Sequence, residues 1–245
     1  MKKNFYLIVL VISCGCFLAN YFMLDTIKTF WKQAQVPLFD FHGQWALCAY
    51  TLHGVDPYPI TGLKTPTIEE LGIIPANWST TAWGLILGNF FYPAFLNVAD
   101  AATYFIVLNL VVLVITVFAL RKNFDLAIIA FPAFFAAFFI SVWFGNAGAI
   151  VSCLLILTCL WTDSRPILAG VLLSLAMVKP QVALPICFAL LLRKNFKVLT
   201  VAAIIDFAAW GVAALMVNQT PLTLLTEFLS LNTGGKVVFT GLFAL

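Results

Sequence analysis

Charge is scarce in this chain. Of 245 residues only 9% are Asp, Glu, Lys or Arg, against about 25% in ordinary soluble domains. With 63% hydrophobic residues, polar surface is too limited to cover a globule in water. The class that fits is an all-α, polytopic transmembrane helical protein. Basic clusters interleaved with aromatics are missing as well, and the net charge of +3 is small, which argues against a nucleic-acid partner. No Gly-x-Gly-x-x-Gly or P-loop pattern occurs, so no cradle for a soluble nucleotide is present. Histidine is limited to His42 and His53. They are spaced about 16 Å apart along one helix, too far to share a metal, and no metal ligands are proposed. The six cysteines make no framework: Cys14, Cys16, Cys153, Cys159 and Cys187 fall in apolar spans and Cys48 in a loop region, where free Cys serves as a small hydrophobe. No soluble domain, low-complexity segment or long repeat interrupts residues 1–245, which read as a single transmembrane domain.

What the chain has is apolar runs. Phe5–Leu24 gives about 20 residues, enough to cross a bilayer core of about 30 Å, and Lys2 and Lys3 set its start in the cytoplasm. The same start, up to Cys14, is like a lipoprotein signal, but the run continues through Phe17, Leu18, Phe22 and Met23, which favours an uncleaved span. Residues 25–78 are the one long polar stretch and carry Asp25, Asp40, Asp56, Glu69 and Glu70, which suits an extracytoplasmic loop. Within it, Asp40–Gly54 is expected to form a juxtamembrane helix, with Asp40 as N-cap and Gly54 just past the end. Phe41, Trp45, Leu47, Cys48 and Leu52 would supply its apolar surface. Val55-Asp56-Pro57-Tyr58-Pro59 forms a rigid turn, and Ile68–Leu71 a second short helix. Further segments follow at Thr81–Val98, Ala101–Leu120, Leu126–Phe144, Ala147–Trp161, Ile167–Val178, Val182–Leu192 and Val198–Val217. The total is about eight membrane segments, some broken or re-entrant.

Topology holds a conflict. Arg121-Lys122, Arg165 and Arg193-Lys194-Lys197 all mark cytoplasmic loops. Two crossings between Thr81 and Leu120 would put Arg121 outside, whereas a re-entrant Thr81–Val98, broken at Tyr92-Pro93, would keep it inside. The short turn available at Asn97–Asp100 favours two crossings.

Lys179 is the most telling residue. It lies within the apolar run Ile167–Leu192, followed by Pro180 and Gln181. A cation at bilayer depth costs about 2.5–3.5 kcal/mol on insertion scales and is kept where it faces a partner, a cavity or an anion. Proline breaks the helix there, so the site is fitted to hold a negative group, foremost a phosphate. The competing reading is a lysine at a helix end that snorkels to the headgroups. Gly145-Asn146 is a smaller break of the same kind, structural or functional. Asp40, beside His42 and Gln44, is either a helix cap or a general base. Asp56 either caps its turn or lines a pocket with Tyr58. Asp206 sits in the last complete span without an identifiable basic partner, and Trp83, Trp143, Trp161 and Trp210 read as interface anchors.

In order, these features resemble glycosyltransferase family 87, a multi-spanning family of the GT-C superfamily of polyprenyl-phosphate-sugar-dependent enzymes. The matching pieces are the first span, Asp40 opening the outer loop, Gly54-Val-Asp-Pro-Tyr58, Tyr92-Pro93, Gly145-Asn146, and Leu168-Ala-Gly170 leading to Lys179-Pro180-Gln181. They run over roughly the first 200 residues. The family usually shows Gly-Gln at Gly145-Asn146 and two consecutive prolines at Pro93-Ala94. Its members are longer, so the resemblance implies that a C-terminal part is missing here.

The resemblance also implies a GT-C-like architecture and a sugar transfer at the outer face of the membrane, in a bacterial plasma membrane. Asp40 would be the catalytic base that deprotonates a glycan or lipid acceptor, which attacks a polyprenyl-phosphate-linked sugar with inversion. Lys179 would hold the departing phosphate, and Phe131–Phe139 the lipid tail. Gln181, His42, Asp56, Tyr58 and Asn146 complete the candidate substrate-binding set. No cofactor is needed beyond the lipid-linked donor. The alternatives from the residues themselves are a transporter or lipid-flipping protein, or an inactive fragment of such an enzyme.

Overall fold

The computed structural model describes residues 38–58, 81–121 and 141–234. The expected span Phe5–Leu24, the helix Ile68–Leu71, most of Leu126–Phe144 and the Phe131–Phe139 surface lie outside the described residues. Among the described residues all regular structure is helical. The helices are α1 (Phe39–Leu52), α2 (Gly84–Leu87) running into a single 3-10 turn (Gly88–Phe90), α3 (Val98–Arg121), α4 (Gly148–Trp161), α5 (Pro166–Ala176), α6 (Pro180–Leu192), α7 (Phe196–Met216) and α8 (Pro221–Gly234).

Proline and left-handed residues set the boundaries. Pro166, Pro180 and Pro221 are each the first residue of a helix, where no intrahelical amide is needed and the fixed φ is already helical. Three helices end alike, with a left-handed residue just past the cap: Gly54 (φ 75), Lys194 (φ 57) and Asn218 (φ 54). In each the following amide reaches back to the end of the helix, Val55 N to Tyr50 O (2.9 Å), Asn195 N to Leu190 O (2.9 Å) and Gln219 N to Ala214 O (2.9 Å). These are Schellman closures, which satisfy carbonyls that the helix leaves orphaned.

Two described helices are long and apolar enough to cross a membrane, α3 and α7. At 24 and 21 residues they extend about 36 and 31 Å. The outward side chains of α3 include Val107, Leu110, Val111, Val114 and Phe118, all exposed. An apolar face of that extent is incompatible with water and is at home in hydrocarbon. Helices α4, α5 and α6 have 14, 11 and 13 residues, or about 21, 16 and 20 Å, each short of a full crossing.

The core packs α5 between α4 and α7. Gly170 permits it: a Cβ there would lie 2.6 Å from Val201 Cβ and 2.9 Å from Val198 O. Any larger residue would wedge α5 off α7 and open the cluster of Ala169, Leu173, Ala176, Val198 and Ala202. Cavity and packing defects of that kind cost about 1–3 kcal/mol. Asp206 on α7 accepts a 2.7 Å hydrogen bond from Ser174 Oγ on α5. A neutral hydroxyl thus serves the acid for which the sequence identified no basic partner.

Side-chain contacts fix the direction of each helix. Near the start of α3, Phe105 stacks on Tyr92 (5.5 Å between ring centres), and Tyr92 in turn bonds the chain at Gly145 and Ala147, just before α4. Farther along both helices the Thr116 hydroxyl meets Cys153. So α3 and α4 run parallel, away from a shared starting level. At the other end the α4–α5 turn joins the α6–α7 turn through Asp163 and Arg193, 3.4 Å apart. Arg121 therefore ends its helix on the side where Arg165, Arg193, Lys194 and Lys197 also lie.

This overturns the expectation of two crossings between Thr81 and Leu120. Residues 81–97 form a four-residue helix, a 3-10 turn and a turn around Pro93, and make no span. Four of their apolar side chains are buried against protein, Leu85 and Ala82 with Ala213 and Val217 of α7, and Phe91 and Tyr92 with Phe41, while Phe95 remains exposed. Asn89 closes the turn, accepting from Ala94 N (3.1 Å) and donating to Leu85 O (3.1 Å). Similarly, Phe41, Leu47 and Cys48 of α1 are buried inside the protein, where membrane-facing apolar surface was expected.

Candidate active site

At the end of the molecule opposite the arginines, α1, residues 81–97, the start of α4 and the α5–α6 turn converge. Asp40 is not the N-cap of α1. That position belongs to Leu38, which adopts φ 63, and Asp40 sits in the first turn with no capping bond from its side chain. The backbone of this turn is tied to the segment before α4 by Leu38 N to Trp143 O (2.9 Å) and Asp40 N to Phe144 O (2.9 Å). These two bonds satisfy amides that the helix start would leave open. They also lay Asp40 directly against the Gly145-Asn146 break.

Gly145 is required for that contact. It has φ +71, and a Cβ would fall 2.4 Å from Phe41 Cβ and 2.8 Å from Phe41 N. No side chain fits either the conformation or the space. Phe41, Tyr92 and Phe105 form the floor beneath it, their ring centres 5.5 to 5.6 Å apart. Each such aromatic pair adds about 0.5–1.5 kcal/mol beyond its burial. The Tyr92 hydroxyl clamps the break itself, accepting from Ala147 N (3.1 Å) and directed at Gly145 O (3.5 Å). Ser141 adds a second clamp, donating to Asn146 O (3.1 Å) and accepting from Ala149 N (3.2 Å).

The break holds Asn146 so that its amide faces two ways. Its Nδ2 donates to Asp40 Oδ2 at 2.7 Å. Its Oδ1 accepts from Gly148 N at 2.8 Å and from the Lys179 ammonium. One amide group is all that separates the carboxylate from the cation. Because the oxygen takes two donors and the nitrogen faces a carboxylate, the orientation of the amide is set by its partners. Lys179 caps α6 as its backbone carbonyl receives Val182 N (3.0 Å) and Ala183 N (3.2 Å). The preceding Met177 carbonyl accepts from Trp83 Nε1 at 2.9 Å, so Trp83 braces the turn that presents Lys179, and is no mere interface anchor. Helices α4 and α6 both begin at this point, and helix N-termini favour negative charge.

Asp40 is held above the ordinary carboxylate range, mainly by burial; the Asn146 bond and the Lys179 charge pull the other way. Its Oδ2 is engaged by Asn146, while among the described residues no hydrogen bond reaches Oδ1. A partly desolvated carboxylate with one oxygen anchored and one open is equipped to accept a proton.

The remaining candidates make contacts of their own. His42 turns back on its own helix, Nδ1 at 2.9 Å from Leu38 O, with its ring edge-on to Phe41. Gln181 is exposed in the first turn of α6. Asp56 accepts from Tyr58 N at 3.0 Å, and Tyr58 is buried with Leu47, Leu85 and Leu224. Their neighbour is Glu227 of α8, whose carboxyl is pushed up to about 7 by burial and by the hydrogen bond and charge of Asp56. Tyr92, Ser141, Trp83 and Glu227 were not among the expected site residues. For Tyr92 a signal existed in the Tyr-Pro pair; the other three carry none in their sequence context.

With this geometry in place, comparison with known proteins is informative. The sequence profile of glycosyltransferase family 87 matches residues 86–242, well over half of the chain. The chain belongs to glycosyltransferase family 87. The matched region of this family 87 chain includes Tyr92, Asn146 and Lys179, while Asp40 and the turn at Asp56 precede it. No curated protein and no solved structure matches.

Proposed function

We propose that this family 87 chain transfers a sugar from a polyprenyl-phosphate-linked donor to an acceptor hydroxyl, with inversion, at the extracytoplasmic face of the membrane. The observation that carries the proposal is the Asn146 amide, bonded on one side to Asp40 and on the other to Lys179. A base and a leaving-group cation must both reach one reacting centre, and here a single side chain spans the gap between them. The arginines and lysines at the opposite end support the orientation, since cytoplasmic loops carry the basic excess.

In this mechanism the acceptor hydroxyl gives its proton to Asp40 Oδ1 as its oxygen bonds to the anomeric carbon. The bond from that carbon to the phosphate oxygen breaks on the opposite face, and the electron pair leaves with the lipid phosphate. Lys179 and the N-termini of α4 and α6 stabilise the charge that develops there. Asn146 keeps base and cation at fixed separation and prevents their collapse into a direct ion pair. Asp40 has to be ionised to act, and its burial places it nearer to neutral pH than a free carboxyl, where a general base is most effective.

The test is transfer from a radiolabelled polyprenyl-phosphate sugar by the purified chain in vesicles, compared with Asp40→Asn. Transfer should vanish in the variant while membrane insertion and size-exclusion behaviour are retained. Full activity in that variant would remove the base assignment. Movement of the labelled lipid across the vesicle without transfer would favour a flipping protein instead.

A further inference from the structure

The opposite end of the molecule holds a second feature that sugar transfer does not use. Between the first turns of α5 and α7 lies an open groove of about 430 Å³, lined by Arg165, Pro166, Ile167, Leu168, Val171 and Lys197. That volume falls within the roughly 300–1,000 Å³ typical of small-molecule sites. Its walls are mainly aliphatic, with Ile167 60% exposed, and Arg165 and Lys197 flank them. The groove exists because α5 and α7 touch at Gly170, where Val201 and Val198 leave no room for a side chain, and the chain enters both helices through separate turns below that contact.

The charges at this end are distributed unevenly. Arg193 is satisfied by Asp163 at 3.4 Å. Arg165 and Lys197 have no carboxylate partner among the described residues, and the Arg165 guanidinium rests over the Trp161 ring at 5.9 Å. Trp161 and Arg165 together form the kind of pairing found at the headgroup level of a bilayer. An aliphatic groove flanked by two cations without a carboxylate partner among the described residues complements one chemistry: an acyl chain joined to an anion. Basic pockets between membrane helices hold lipid headgroups for this reason.

We infer that the α5–α7 groove is a binding site for an anionic phospholipid of the leaflet at the basic end, its phosphate between Arg165 and Lys197 and one acyl chain along Ile167, Leu168 and Val171. The bound lipid would fill the gap below Gly170 and brace the base of α5, the helix that presents Lys179 at its far end. The site does not depend on the sugar-transfer proposal and stands or falls separately.

The experiment is native mass spectrometry of the purified full chain, delipidated and titrated with phosphatidylglycerol or phosphatidylcholine of identical acyl chains. The wild-type chain should retain one phosphatidylglycerol at least ten-fold more strongly than phosphatidylcholine. Arg165→Gln with Lys197→Gln should abolish the preference, whereas Arg193→Gln, an equal loss of charge per site outside the groove, should leave it unchanged. Val171→Trp, which fills the groove without altering charge, should weaken retention of both lipids. Inorganic phosphate at the same concentration should not compete, because the chain as well as the headgroup contributes. Equal retention of the two lipids by the wild type would overturn the inference. So would loss of preference in Arg193→Gln as great as in the groove variant, or effective competition by phosphate alone.

Discussion

The two ends of this bundle both carry cations but keep them under different terms. At the basic end Arg165, Arg193, Lys194 and Lys197 are exposed at helix turns, where water and headgroups solvate them at little cost. Lys179 stands at the tip of the α5–α6 turn, half-buried, and is fed by an amide oxygen and a nearby carboxylate. A cation at a boundary costs little to keep. One drawn inside among apolar helices does, and here an amide oxygen and a carboxylate lie beside it. The difference teaches that position relative to solvent, more than residue type, marks a functional charge in a membrane protein.

The sharpest way to break the contrast is to remove the acid. Asp40→Asn keeps the shape and the hydrogen bond to Asn146 but cannot take a proton, and the turnover rate should fall about 10²–10⁴-fold, the usual contribution of a general base. Stopped-time transfer assays at saturating donor check it. Lys179→Gln comes next. If, as proposed, this cation meets the departing phosphate, its loss should lower turnover by about 10²–10³-fold, with donor affinity weakened as well. The corresponding change at the other end, Lys194→Gln, should leave both quantities unaltered.

Asn146 offers a finer test, since it acts through its neighbours. In the proposed mechanism Asp40 must be ionised, so the rate should fall as pH drops through its raised pKa. The Asn146 hydrogen bond holds that pKa down against burial. Asn146→Ala removes the restraint, and the acidic limb of the pH–rate profile should move to higher pH. A merely structural role would lower the rate at every pH and leave the limb in place. Lys179→Gln should move the limb in the same direction, because the Lys179 charge also favours the ionised acid.

How much of this was legible in the residues alone depends on range. Lys179-Pro180 announces itself, since a charge and a helix breaker inside an apolar run are both locally anomalous. Gly145-Asn146 is visible by the same logic, and the helix starts at Pro166 and Pro180 follow from proline chemistry. Contacts between distant residues are a different matter. Nothing near Asp40 foretells an amide 106 residues away, nor does Tyr92 reveal a hydroxyl that binds backbone 53 and 55 residues on. Thr81–Val98 misleads because apolar composition is the same for a span and for a segment buried in protein. Gly84, Gly88, Asn89 and Pro93 were the better guide, each a poor resident of a long helix. Helix α8 escaped notice although its start is conventional, with Thr220 Oγ1 accepting from Thr223 N at 3.1 Å and Pro221 in the first turn.

The smallest effect belongs to the Asp163–Arg193 pair, and its smallness is the point. The two side chains are 76% and 60% exposed and meet at a single 3.4 Å contact. In that setting the Coulomb gain is screened and is offset by the ordering of two long side chains. A double-mutant cycle with Asp163→Asn and Arg193→Gln, followed by thermal unfolding in detergent, should return a coupling of about 0–1 kcal/mol. Sugar transfer should be unaffected in all three variants. If the coupling instead exceeded about 2 kcal/mol, well above the range for exposed pairs, the basic end would be as tightly organised as the Asp40–Asn146–Lys179 end. Exposure to solvent would then no longer mark the Asp163–Arg193 pair as weakly held.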